Sequence, residues 1–183
     1  MPTLKEYIDK FQYYESTGLD VKRKFLAHYV NVGTNEIPEW EILGYKVEDA
    51  SIEYNWEEEK ITDITGVTYA GITKSEPSMT LDGYIVNTKS KFLKNLSGMA
   101  IRNAYNEFSS FTILTVYSWL VDSEDNTKIL AKKEINCTIK PTSLGGEGYT
   151  RITPEISFSN NAEYGTVTIV DTVPTFTKGT YTE

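Results

Sequence analysis

The chain is poor in the side chains from which most active sites and metal sites are built. It has one histidine, His28, and one cysteine, Cys137, in 183 residues. A lone cysteine excludes an internal disulfide and leaves no basis for a cysteine-based metal site. With no second histidine, His/Cys zinc sites, Cys–His dyads and Ser–His–Asp triads are excluded, save any built on His28. His28 falls in a strand-like stretch, where a single histidine reads as a packing residue. No apolar run is long enough to span a bilayer, so membrane insertion by this chain is not expected. Met1 to Lys10 carries charges where the apolar core of a signal peptide would begin, so the expectation is production in a reducing cytoplasm.

Positive charge is also scarce. Lys and Arg number 18 against 26 Asp and Glu, for a formal net charge of −8. An acidic chain repels phosphate backbones, and its basic residues are scattered rather than striped with aromatics, so a nucleic-acid grip is excluded. The carboxylates form no evident acid–base pair. Glu57, Glu58 and Glu59 are adjacent, and neighbouring strand residues point to opposite faces. The Asp122–Asp125 turn lacks the central Gly and distal Glu of an EF-hand. Gly145–Gly148 is followed by neither Lys-Ser/Thr nor a helix, so it is a flexible loop and not a phosphate cradle. Nothing here points to an enzyme, a cofactor or a metal.

What the chain does have is β pattern. Hydrophobic residues make up 39% and aromatics 13%, with 13 Tyr, a residue suited to half-buried sheet faces and interfaces. Val21–Val32 alternates and is covered on both sides near its end. Ala50, Ile52, Tyr54 and Trp56 alternate with Asp49, Ser51, Glu53, Asn55 and Glu57, which predicts a half-buried strand with an acidic outer face. Thr65-Gly66 turns into a strand at Val67–Ile72, and the two-residue period resumes at Met79, Leu81 and Ile85. Phe108–Val121 is apolar on both faces, as a central strand should be. It turns at Asp122–Thr127 into a long partner with Ile129, Ala131, Ile135, Cys137 and Ile139 on one face. Helical spacing occurs at Leu4, Tyr7, Ile8 and Phe11, and again from Phe92 to Ala104, where Gly98 could end or kink the helix. Ser16-Thr17-Gly18 reads as a turn.

The expected architecture is mostly β: an antiparallel sandwich or barrel-like domain with one flanking helix and extended N- and C-terminal arms. The expected division is a short helix or arm over 1–20, a β domain over 21–171 and a C-terminal arm over 172–183.

Three segments in order resemble the major tail tube proteins of long-tailed, siphovirus-like bacteriophages. They are Trp40-Glu41-Ile42-Leu43-Gly44 leading into Glu53–Glu59, then Ile61–Gly66 followed by Lys74–Asp82, and last the helix with its long hairpin, Ser143–Gly148 and Gly165–Ile169. The agreement runs over roughly residues 20–170, and the stretch to Asp20 has no match. The resemblance implies a structural subunit that self-assembles into stacked hexameric rings. Their lumen conducts DNA without specific binding, with a tape measure protein and a tail terminator as partners. It implies a place in the virion tail after assembly in the bacterial host cytoplasm. Candidate lumen-facing residues are Glu53, Glu57, Glu59, Lys128, Glu134 and Lys140. Candidate inter-ring or subunit contacts are Trp40, Ile42, Thr65, Gly66, Tyr69 and Pro77. The alternatives are a tail terminator or connector that closes one ring, and a β-sandwich carbohydrate-binding module using its Tyr and Trp as a stacking platform.

Overall fold

A computed structural model describes residues 1–14, 20–44, 47 and 50–182. Its strands in chain order are β1 (Phe11–Tyr13), β2 (Leu26–Asn31), β3 (Trp40–Ile42), β4 (Ile52–Glu53), β5 (Trp56–Thr62), β6 (Thr68–Ser75), β7 (Ser78–Thr80), β8 (Tyr84–Ile85), β9 (Phe111–Asp122), β10 (Ile129–Gly145), β11 (Arg151–Ser157), β12 (Ala162–Val170) and β13 (Val173–Lys178). The helices are α1 (Leu4–Asp9) and α2 (Lys91–Ile101). The protein is mostly β, and its strand pairings are antiparallel.

The long β10 belongs to two sheets. Its first half lies between β9 and β12, with Ala131 opposite both Val116 and Gly165. From Thr138 onward it pairs with β11 instead. The change occurs across a register shift between Glu134 and Cys137, where Asn136 takes a left-handed φ of +59°. An extra residue in one strand bends it and raises the local twist. The first sheet therefore runs β3-β2-β9-β10-β12-β13, with β1 beside the far end of β9. The second runs from the end of β10 through β11 to β7 and β4, with β8 also on β11.

Alternation along β9 and β10 sorts the core. Ile113 with Val30 faces the second sheet and α2, joining Met79, Leu81, Ile139, Ile152, Ile156 and the Phe92, Leu93 and Leu96 stripe of α2. The opposite face carries Leu114, Val116, Ala131 and Val167, joined by Tyr29 and flanked by Ala27, Trp40, Ile129 and Phe176. Beyond the second sheet, α1 covers what remains of the inner face, with Tyr7 and Phe11 on Leu130.

Six residues cannot sustain a helix alone. Thr3 and Glu6 close a capping box at the start of α1, and Tyr7 packs against Phe11 and Tyr181. The two terminal segments are tied together: Thr3 bridges Thr182, and Leu4 N donates to Thr182 O at 3.1 Å. The C-terminal stretch is extended, and Val173–Lys178 within it is paired along β12.

Helix α2 takes its N-cap partly from another element. Ser90 Oγ accepts from Leu93 N at 2.9 Å. The Glu41 carboxylate on β3 accepts from Lys91 N at 3.0 Å, Phe92 N at 3.1 Å and the Ser90 hydroxyl. A carboxylate there satisfies orphan N–H groups and faces the positive end of the helix dipole. Gly98 neither ends nor breaks the helix, which continues to Ile101.

Some expected strands differ. The first shortens to Leu26–Asn31, after a 3-10 turn at Arg23–Phe25. The half-buried strand expected from Ala50 to Glu57 is split at Asn55, where φ is +46°. Beyond that kink Trp56 is exposed, so the alternation does not mark a core face there. The turn at Ser16–Gly18, and Asp49 in the alternation, lie outside the described residues.

Lys10 Nζ sits 2.7 Å from Asp122 Oδ2, tying the end of α1 to β9. Burial pushes the Asp122 carboxyl up, but the bonds from Lys10 and Glu124 N–H and the Lys10 and Lys128 charges outweigh it and hold it below the usual range. A depressed carboxylate contributes stability above its unfolded-state value, about 3.9, and loses it as pH falls through the folded value. Urea unfolding should therefore show a drop in stability between pH 5 and pH 2. Lys10→Met should lower stability at pH 7 and shrink that drop. Glu41→Ala should cost about 1–3 kcal/mol through the unsatisfied helix N–H groups, read as a shifted urea midpoint at unchanged slope.

Candidate assembly surface

Strands β5 and β6 form a two-stranded hairpin that pairs with no other strand among the described residues. Seven residues at the strand rise make β5 roughly 23 Å long. Its register runs from Trp56 opposite Ser75 to Thr62 opposite Thr68, with one irregularity between Glu57 and Glu58. Every residue of β5 is exposed, as is every residue of β6 except Ser75. Ile61 stands opposite Tyr69, and Glu58 opposite Ile72. Apolar side chains thus occur on both faces, and neither face is covered. A lone hairpin is marginal in water.

Local chemistry shapes both ends. At the tip, Asp63 Oδ1 accepts from Thr65 N at 2.8 Å, Thr65 Oγ1 at 2.6 Å and Val67 N at 3.1 Å. The Thr65 hydroxyl bond is the main influence holding the Asp63 carboxyl below its usual range. Gly66 supplies the φ of +83° that closes the turn. This architecture lifts Ile64 clear of the protein, at 106% relative exposure. At the base, the Asn55 amide donates to Glu76 O at 2.9 Å and Ser78 Oγ at 3.0 Å, while Asn160 Nδ2 donates to Ser75 O at 2.9 Å. Asn is among the few residues that enter the left-handed region readily. Tyr54 and Trp56 stack beside this clamp at 5.5 Å and 10°.

A groove of about 460 Å³ opens on the outer face of the first sheet, between its two edges. Trp40 and Pro38 line it from the β3 side, and Val173, Pro174 and Phe176 from the β13 side. The Phe176 ring lies so close over Gly165 that no β-carbon would fit there. On the floor, Glu163 meets Lys133 at 2.5 Å and Lys178 at 2.8 Å. Hydrogen bonds from those two lysines hold its carboxyl below the usual range, and Lys133 Nζ also sits 5.2 Å from the Phe176 ring centre.

The residues singled out from sequence are dispersed over the molecule. Thr65, Gly66 and Tyr69 share the hairpin. Pro77 is buried at its base, between β6 and β7. Trp40 and Ile42 lie apart from these on edge strand β3. Glu53 ends β4, Glu57 pairs with Lys74, and Glu59 faces Gly71. Lys128, Glu134 and Lys140 do not share one open face, because β10 changes sheet between the last two. Glu134 is 2% exposed and lies against Lys132 Nζ at 3.0 Å. Lys128 pairs with Asp125 in the turn, and Lys140 with Glu155 on β11.

His28 is buried, with Nδ1 3.1 Å from Thr115 Oγ1. Burial pushes the Cys137 thiol up to about 11, far from a thiolate nucleophile. Among the described residues no cluster of His, Cys, Asp and Glu could hold a metal ion, and no helix is long and apolar enough to cross a membrane.

No family model and no curated protein matches the chain. Solved structures similar to it include the extended sheath–tube complex of PVC, an extracellular contractile injection system, at TM-score 0.47 and 12% identity, covering 85% of this chain and 99% of that one. The cap that terminates the tube of the anti-feeding prophage gives 0.38 and 16%, over 76% and 87% of the two chains. The anti-feeding prophage baseplate gives 0.38 and 10%, over 76% and 91%. At these scores the likeness establishes neither family nor function.

Sequence reading passed over Ile64, Val67 and the β13 lip. The Asp63-x-Thr65-Gly66 turn carried a signal for Ile64, since a side chain between two turn-forming polar residues points outward. For Val173 and Phe176 there was none, because their position depends on which strand pairs with β12. Asn55→Ala should strain the kink and free the hairpin base, at about 1–3 kcal/mol. The expected readout is faster amide exchange across 56–75 with unchanged protection in β9 and β10.

Proposed function

We propose that this chain is a non-enzymatic structural subunit of a phage-like tail tube, built to bind copies of itself. The observation that carries the reading is the β5–β6 hairpin, held by a hydrogen-bonded base and a closed tip yet exposed on both faces and both edges. Such a strand pair gains its stability by pairing or packing elsewhere. The order of sequence motifs supports the tail tube in particular. In this reading subunits form hexameric rings that stack, and the lumen passes DNA through an acidic wall without specific contacts. A tape measure protein and a terminator are the partners, and the particle is the tail of a virion assembled in the host cytoplasm.

The carbohydrate-module alternative needs exposed rings set side by side. Tyr54 and Trp56 instead stack on one another, so each ring covers one face of the other. A terminator or connector would close a single ring and never lengthen.

Negative-stain images and light-scattering mass of the concentrated protein test the proposal. Rings or tubes, with mass rising with concentration, are expected. A monomer at every concentration would overturn it, and single rings that never stack would turn it to the terminator. Ile64→Asp should leave the melting curve unchanged and weaken association at least about tenfold, as loss of a central apolar anchor does.

A further inference from the structure

The hairpin and the groove lie on opposite sides of the first sheet. Strands β4 and β7, from which the hairpin extends, belong to the layer packed on the inner face through Ile113 and Val30. The groove floor is Lys133 and Glu163, which share the outer face with Ala131 and Val167. One molecule therefore presents an apolar tip on one side and, on the other, an open recess with apolar lips at Trp40 and Phe176 over a polar floor. A projection and recess on different surfaces make a head-to-tail contact, which closes into a ring or continues as a filament.

We infer that the tip of the β5–β6 hairpin of one copy, led by Ile64 and Val67, seats in the groove between Trp40 and Phe176 of the next copy. This rests on the reading that copies of the chain associate, and it names where they meet. Size agrees: the groove lies within the range of about 300–1,000 Å³ typical of sites that bury compact apolar groups.

Charge selects the groove over a second hairpin as the occupant's seat. Residues 56–76 carry five acidic side chains and two lysines. Two hairpins laid together would oppose their Glu57–Glu59 runs, and like charges brought face to face are destabilising. The groove instead holds one acid, Glu163, beside Lys133, and Lys178 at its margin meets the same carboxylate, so no run of like charge faces an incoming tip. Strand addition to β13 is the weaker way to seat the tip, since Pro174 removes an N–H from that edge. Side-chain insertion is the contact the lip is shaped for.

Cysteine trapping tests this directly, because the native Cys137 is buried and out of reach. Ile64→Cys and Val173→Cys are placed together in one chain, with Thr175→Cys as a second lip position. Mild oxidation at a concentration where assemblies form should give a ladder of disulfide-linked dimers, trimers and longer species on a non-reducing gel. The two single variants mixed in equal amounts should give one linked heterodimer and no ladder. Each alone should stay unlinked. Assemblies without a ladder from either lip position would overturn the groove as the seat while leaving self-association standing. Linked dimers from Ile64→Cys alone would overturn it too, since tips would then meet tips. A protein that never associates would bring down the proposed function itself, and this inference with it.

Discussion

The register of β10 decides where the other elements can sit. A strand that stayed in one sheet would put Glu134 and Lys140 in the same environment and leave β11, β7 and β4 on the edge of a single broad layer. The shift around Asn136 lets the second half pair with β11 while the first half stays between β9 and β12. The two layers then share one continuous strand, and the apolar residues of β9 on that side, Phe111 and Ile113, become the floor of the core. Helix α2, which closes that core, has its N-terminus held from β3 through Glu41 as well as by its own Ser90.

That arrangement uses the second sheet to cover one face of the first and leaves little to cover the other. Tyr29, Trp40 and Phe176 shield the outer apolar row. Their bulk leaves a recess between β3 and β13, where a residue-sized gap would have been filled had the sheet closed on itself. The hairpin is the counterpart: apolar side chains held away from the body by polar clamps at Asn55 and Asp63. Both features leave apolar side chains exposed on a fold whose main core is closed between the two sheets and α2.

Much of the fold was legible because period and length agree in the central strands. Phe108–Val121 and its partner read as a long hairpin, and Phe111–Asp122 pairs with Ile129–Gly145 as one, beginning three residues later than expected. The Phe92, Leu93 and Leu96 stripe read as a helix face and packs as one. The stretch from Ala50 to Trp56 misled because alternation records which residues share a face, not whether anything covers that face. The kink at Asn55 turned a presumed core strand into a projecting one. Glu134 is buried and Lys140 lies in the other sheet for a related reason: the strand's alternation is interrupted by a bulge that residue types alone do not announce. The groove was illegible because it depends on the pairing of β12 with β13, a relation between segments that no local pattern encodes.

The order of synthesis gives the position of β13 another meaning. The hairpin leaves the ribosome after the β3 lip at Pro38 and Trp40 but well before β9, β10 and β12, and the lip at Val173–Phe176 is completed last. A nascent or truncated chain would therefore possess the projecting half of the contact and lack the receiving half. In the proposed head-to-tail file such a chain would occupy the end and offer the next tip no finished groove. Completion of the last strand would then act as a licence to elongate, granted only to finished chains.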